Sequence, residues 1–361
     1  MTPTVSKATL THMTWAVLLV CVLGVASGVG LGEPMSKQDK TRFRGVNGGP
    51  RLSRDDIVHL ARNWGGNSLR ILLSHGRTVR TEPPYGVDEE SLRKLDSVVD
   101  WCEELGVNCI INIHEAPGYR YVSGRDNSLW ESREHQARLI ETWEVLARRY
   151  RDRSPLIWYD LLNEPHGTDE TLGAVGSWNR LAKELTGAIR AIDSDHAIVV
   201  EGTNWAFPRG FAELEPTGDP NTVYDFHWYL PKGYSHAKPE DDLTYPGDLP
   251  PWRGGPATRW DRSRMLAELK PVFAFQEKYG VPVRCGEFGV VRWVGGAAEY
   301  LEDFVGICEE RGYDWNYYAY REWHAMNLEF GSDPDDRTPQ ETDRLQVLRR
   351  YFTLDTFGPE P

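Results

Sequence analysis

The sequence predicts an α/β protein, a closed (β/α)8 TIM barrel that forms a single domain after an N-terminal signal segment. Three observations carry that expectation. A short apolar strand, a polar loop and an amphipathic helix recur eight times between Phe43 and Phe352. Strands alternating with helices imply parallel pairing with the helices outside, and eight such units close on themselves. The competing open sheet usually binds a nucleotide through a Gly-rich first turn. Here that turn reads Gly45-Val46-Asn47-Gly48-Gly49-Pro50, without the GxGxxG spacing.

Residues 43–46 (FRGV) read as the first strand and 55–64 as its helix. Residues 68–72 (SLRIL) precede a long helix over 88–105, and 108–113 (NCIINI) precede 133–150. The fourth strand is 156–162 (LIWYDLL), with a helix over 178–192. The fifth, 197–200 (AIVV), is followed only by a short helical piece near 211–214. Strand six at 222–227 (TVYDFH) leads to a helix over 263–279. Strand seven at 281–285 (VPVRC) leads to 297–311, and strand eight at 315–320 (WNYYAY) to 340–352. The connection over 231–261 is long and carries Trp252 and Trp260. Loops of that length in a compact domain are usually functional, so it is expected to wall one side of a cleft.

Composition narrows the function. Of 361 residues, 40% are hydrophobic and 26% charged, which excludes a disordered chain, a fibrous repeat and a polytopic membrane protein. A net charge of −13 with no long basic run argues against a nucleic-acid partner. Fourteen Trp and sixteen Tyr suggest ring-stacking surfaces beside ordinary core roles. The apolar run 15–27, followed by the small residues of 28–32, fits a secretory signal cut near 26–32. An uncleaved membrane anchor is the competing reading of residues 1–32, and only then would a membrane be a partner. A secreted or extracytoplasmic chain is expected, monomeric, with 33–361 as its one domain. Cys102, Cys109, Cys285 and Cys308 read as buried thiols, with no CxxC to suggest zinc or redox work. Period-2 alternation puts Cys285 on the same strand face as Glu287.

Active-site residues of such a barrel sit at the C-terminal ends of its strands. In order, those ends carry Asn47; Arg70 and His75; His114-Glu115; Asn163-Glu164-Pro165-His166; Glu201 with Asn204-Trp205; His227-Trp228-Tyr229; Glu287; and Tyr318, Tyr320, Arg321 and Trp323. Polar and aromatic side chains thus gather wherever an apolar run stops. Glu164 and Glu287 each follow an apolar strand and each adjoin a structure-breaking residue, Pro165 and Gly286. Strands four and seven face each other across the mouth. Two opposed carboxylates suit glycoside hydrolysis, one giving a proton to the leaving oxygen and the other acting at the anomeric carbon.

Arg70, His114, Asn163-Glu164-Pro165, His227-Trp228-Tyr229 and Gly286-Glu287-Phe288-Gly289 together resemble glycoside hydrolase family 5, the cellulase-like group. The resemblance runs from about Phe43 to about Phe352. It implies a retaining mechanism, with Glu164 as acid/base and Glu287 as nucleophile. It also implies that Arg70 and Tyr229 hold Glu287, that Asn163 binds the sugar 2-hydroxyl, and that His114 and His227 bind hydroxyls or orient the acid/base. The family often has Trp on strand eight; here Tyr318 takes that place, with Trp315 and Trp323 nearby. Trp205, Tyr119 and Tyr121 are further candidate stacking rings. The expected substrate is a polysaccharide or oligosaccharide, β-1,4-glucan first, with β-mannan cleavage or exo-β-glucanase and β-glucosidase action as alternatives on the same framework.

Other classes fit less of the pattern. His114-Glu115 begins like the HExxH of a metallohydrolase, but Gly118 stands where the second His is needed. A non-catalytic sugar-binding barrel would typically have lost one carboxylate. No GxSxG elbow occurs. No metal and no cofactor are expected.

Overall fold

The computed structural model describes residues 42–120, 125–167 and 172–354, the stretch 172–176 by its backbone alone. The expected signal or anchor at 1–32 and the candidate ring Tyr121 lie outside the described residues. Eight parallel strands close a barrel: β1 Arg44–Gly48, β2 Ser68–Leu73, β3 Asn108–Ile113, β4 Ile157–Asp160, β5 Ala197–Glu201, β6 Thr222–Trp228, β7 Val283–Phe288 and β8 Asp314–Tyr317. Neighbours in sequence are neighbours in space, and β8 pairs back onto β1, with Arg44 opposite Trp315. This is the (β/α)8 architecture that the alternating pattern predicts.

The helices form where the apolar periodicity put them, and short polar side chains start them. Ser53, Asp88, Ser132, Asp261 and Thr342 each accept a hydrogen bond from a first-turn amide at their helix start. Two departures have local causes. The first helix, Arg54–Val58, continues as a π-helical stretch His59–Trp64 that ends on left-handed Gly65. The predicted 263–279 helix is two pieces, Arg262–Glu268 and Lys270–Tyr279, with Pro271 in the first turn of the second, where its missing N–H costs nothing. Among the described residues no helix is long and apolar enough to cross a membrane.

Two separate cores result from strand alternation. Outward-facing strand residues such as Leu69, Ile71, Ile111, Tyr159 and Phe226 pack with the helices in one continuous apolar layer. Inside the barrel, Ile110, Trp158, Ala197, Val199 and Val223 form a small apolar plug. Above the plug the interior turns polar: Arg70, Asp160, Asp225, Arg284 and Asn316 are all buried. All four described cysteines are buried free thiols, as expected.

Strand β7 corrects one expectation. It runs to Phe288, beyond the predicted end at Cys285, and its register against β6 slips: Cys285 lies opposite Phe226, but Glu287 lies opposite His227. Gly286 is therefore an inserted bulge residue, and Cys285 and Glu287 face opposite ways. Cys285 joins the helix-facing core, while Glu287 points into the mouth. Only glycine fits at the bulge. Its amide donates to Asp225 Oδ1 at 2.6 Å, and a Cβ there would lie 2.2 Å from Asp225 Oδ2. Asp225 is fully buried and cannot retreat into solvent. Gly286→Ala is expected to destabilise the barrel by about 1–3 kcal/mol, as overpacking does. Thermal unfolding checks this, and activity should fall with it because the next residue is Glu287.

Candidate active site

Arg70 is the centre of the site. It rises from β2 into the barrel, is fully buried, and uses all five guanidinium donors. Its Nε donates to Asp160 Oδ2 at 2.7 Å. Nη1 donates to Glu287 Oε1 at 2.7 Å and to Asn47 Oδ1 at 3.0 Å. Nη2 donates to Glu201 Oε1 at 2.6 Å and to Asn163 Oδ1 at 2.9 Å. Five strands are thus tied through one cation, and three carboxylates share its charge.

Glu287 is held from both sides. Arg70 fixes one oxygen, and the Tyr229 hydroxyl donates to the other at 2.9 Å. Burial and the neighbouring Glu287 charge push the Tyr229 phenol well above its ordinary range, so it stays a donor. His236, in the loop after β6, packs edge-on against the Tyr229 ring at 5.1 Å.

Glu164 stands opposite, just beyond β4, with a left-handed backbone (φ 47°) that a non-glycine residue adopts only when its surroundings hold it. Two groups do. The Glu164 amide donates to Glu201 Oε2 at 2.7 Å, and its carbonyl accepts from the Tyr119 hydroxyl at 2.6 Å. Burial raises Glu164 above the usual carboxylate range, against the opposing charges of Lys232, His166 and Arg70. A raised carboxyl is suited to donating a proton. His227 Nδ1 lies 2.9 Å from Glu164 Oε1. Burial pushes His227 down to about 3, so its imidazole is neutral at neutral pH.

One ligand atom from each of Glu164, His227 and Glu287 lies within 4.8 Å of the others. That spacing would admit a small cation, but both oxygens of Glu287 already accept hydrogen bonds, one from a buried guanidinium. The donor set fits proton transfer better than coordination. The separation of the two carboxyl groups decides between the two chemistries open to such a pair. Groups about 5–5.5 Å apart leave no room for an intervening water, whereas about 6.5–9.5 Å does.

The remaining candidates divide into those at the mouth and those that are not. His114 reaches the same cluster at the end of β3, with Nδ1 3.1 Å from Asn112 Oδ1. Burial and the Arg70 charge hold it well below the ordinary imidazole range. Tyr318 follows β8 and is half-buried, with Trp323 at 6.4 Å between ring centroids and His236 6.0 Å beyond. Trp205 is half-buried and stacks on His166 at 3.4 Å with 9° between planes, so one of its faces is taken. Tyr119 is no stacking platform: it is fully buried and serves the Glu164 backbone and His166. Trp315 faces away from the site, packed on Phe288 and on Phe352 of the last helix. The loop 231–261 folds as a one-turn helix, Lys232–Ser235, and a small hairpin, Gly247–Leu249 with Thr258–Trp260. It brings exposed Trp252 beneath Lys232, 5.1 Å from its ammonium.

Sequence reading did not assign Asp160, Glu201 or Asn47 a role. Glu201 and Asn47 stand at strand ends, which was the available signal. Asp160 lies inside the apolar run LIWYDLL and gave none.

Comparison with known proteins agrees with the geometry. Residues 34–323 match the family model "Cellulase (glycosyl hydrolase family 5)". Endoglucanase C of Acetivibrio thermocellus is 28% identical over 292 residues, 73% of this chain and 81% of that protein. Cellodextrinase A of Ruminococcus flavefaciens is 28% identical over 271 residues, 74% of this chain and 76% of that protein. Among solved structures, Thermotoga maritima Cel5A in complex with cellobiose superposes with a TM-score of 0.67 at 22% identity, covering 85% of this chain and 97% of that one. The same enzyme described with mannotriose substrate gives 0.68 over the same shares.

Proposed function

Because the chain belongs to glycosyl hydrolase family 5, the cellulase family, we propose that this glycoside hydrolase cleaves β-1,4-glucan internally with retention of configuration. Glu287 attacks the anomeric carbon while Glu164 protonates the departing oxygen. The resulting glycosyl-enzyme is opened by water, whose proton Glu164 takes as base. The observation that carries the reading is the opposed pair itself, with an oxygen of Glu164 within 4.8 Å of one of Glu287. Arg70 and Tyr229 support it by aiming the Glu287 carboxylate, and the raised Glu164 supports it by supplying an acid. The endoglucanase and cellodextrinase names of the relatives favour β-1,4-glucan. The Cel5A complex with mannotriose is the reason to keep β-mannan as a second substrate. In this reading residues 1–32 direct export and the enzyme works as a monomer.

The test uses carboxymethylcellulose, glucomannan and laminarin, following both new reducing ends and viscosity. A rapid viscosity fall on carboxymethylcellulose supports internal cleavage; sugar release without it means exo action, and preference for glucomannan moves the specificity to mannan. In Glu164→Gln, turnover of these polymers is expected to drop by about 10²–10⁴-fold, the contribution of a general acid. A dinitrophenyl cellobioside, whose leaving group needs no proton, should still release its phenol in a burst. Loss of both equally would overturn the acid/base role.

A further inference from the structure

Several fully buried carboxyl groups have no task in the mechanism, and one of them touches the acid/base itself. Glu201, at the C-terminal end of β5, has no solvent exposure and touches three parts of the site at once. Its Oε1 accepts from Arg70 Nη2 at 2.6 Å. Its Oε2 accepts from the Glu164 amide at 2.7 Å and lies 3.4 Å from His227 Nε2. That imidazole nitrogen is fully buried and makes no hydrogen bond. A buried ring nitrogen left unmatched costs free energy, and a small approach of the two groups would match it. Catalytic hydrogen bonds are often loose before substrate binds.

We propose that Glu201 is a positioning residue for the acid/base: it holds the left-handed Glu164 backbone and selects the His227 tautomer that receives the Glu164 proton in a hydrogen bond. This rests on Glu164 being the acid/base. The logic runs through hydrogen count. A protonated Glu164 donates to His227 Nδ1 only if that nitrogen is bare. A neutral imidazole then carries its hydrogen on Nε2, pointing at Glu201. Glu201 Oε2, which already accepts from the Glu164 amide while Oε1 accepts from Arg70, accepts it. With the other tautomer, Nδ1–H would donate to Glu164 and favour the ionised form, which is useless as an acid. Glu201 thus acts on the proton of Glu164 through the far side of the ring, without touching substrate.

Other charges bear on the same groups. Lys232, His166 and Arg70 oppose the burial of Glu164. Arg70 likewise opposes the burial of Glu201, while Asp160 and Asp225 reinforce it. His227 feels Glu287, Arg70, Asp160 and Arg284. None of these but Glu201 lies against Nε2 within salt-bridge distance among the described residues.

Glu201→Gln separates this role from simple packing. No orientation of the amide serves both sides. If its oxygen faces Arg70, its NH2 faces the Glu164 amide and donates to His227 Nε2, which forces the wrong tautomer. The flipped amide sets its NH2 against Arg70. Three readouts are expected. The basic limb of the kcat/KM profile moves down by about one pH unit, because Glu164 loses its proton more readily. Polymer turnover at neutral pH falls at least about tenfold, as when an imidazole loses the carboxylate that orients it. Labelling of Glu287 by a 2-deoxy-2-fluoro cellobioside with a dinitrophenyl leaving group proceeds at near the wild-type rate, which also shows that the site is folded. An unchanged pH profile would overturn the proposal. So would equal loss on activated and unactivated substrates, which marks a structural role. Glu164→Gln is run alongside. If it too shows no dependence on the leaving group, the acid/base reading has failed; if it does and Glu201→Gln does not, only the present proposal has.

Discussion

Glu287→Gln is expected to lower cellulose-type hydrolysis by at least about 10⁴-fold while the protein stays folded. The amide nitrogen cannot attack an anomeric carbon, so no glycosyl-enzyme forms. The change is otherwise close to isosteric. The Gln carbonyl oxygen can take the Arg70 hydrogen bond now made to Oε1, and its NH2 can donate to the Tyr229 hydroxyl oxygen. The variant does remove one of three negative charges around Arg70, so a modest change in stability of either sign is expected. Three measurements check the prediction: turnover on carboxymethylcellulose, thermal unfolding, and a burst assay with dinitrophenyl cellobioside. The burst must vanish here, whereas in Glu164→Gln it persists. Near wild-type turnover in a folded Glu287→Gln would sink the two-carboxylate assignment.

Most of this site was legible because a barrel converts sequence position into geometry. Polar residues at the ends of apolar runs, His114, Asn163, Glu164, His227, Tyr229 and Glu287, lie at the mouth, and Arg70, inside β2, reaches Glu287 and Asn163 from below. Alternation also separates Asn316, inside the barrel, from Trp315 and Tyr317, which pack outward. Two kinds of information were hidden. One was the bulge at Gly286: an inserted residue reverses the face of everything after it, and period-2 reading cannot see an insertion. The other was the inner charge layer. Asp160 is one acid within an aromatic-rich strand, and its role exists only because Arg70 from β2 reaches it across the barrel. Tyr119 misled for a related reason. A Tyr beside a mouth reads as a sugar platform, but this one spends its hydroxyl on the Glu164 carbonyl.

The dependence of the whole arrangement on Arg70 leads to the largest expected loss of stability. In Arg70→Met, a side chain of similar length fills the space but offers no donor. Asp160, Glu201 and Glu287 lose their shared cation, and Asn47 and Asn163 each lose a hydrogen bond. Removing one partner from a buried ionic cluster costs about 3–5 kcal/mol, because the remaining charges stay desolvated and repel. At about 2–4 °C per kcal/mol for a domain of this size, the melting temperature should fall by roughly 6–20 °C. The loss should also depend on pH, with a definite sign. Burial already raises Glu201 well above the usual carboxylate range, and Arg70 is one of the charges opposing that rise. In the unfolded chain a Glu titrates near about 4.3. A folded-state value raised above the unfolded one gives stability that is present at low pH and lost as pH rises. Without Arg70 the folded value rises further, so the gap between variant and wild type opens only as pH climbs past the wild-type folded value, which lies well above that of the unfolded Glu. Denaturant unfolding followed from about pH 5 into the alkaline range checks this, with the larger deficit expected at the higher pH. Arg70→Lys should fall between the two proteins, since one ammonium restores charge but its three donors cannot reach five acceptors on separate strands. A deficit independent of pH, or one below about 1 kcal/mol, would mean that the three carboxylates do not share the guanidinium charge in solution.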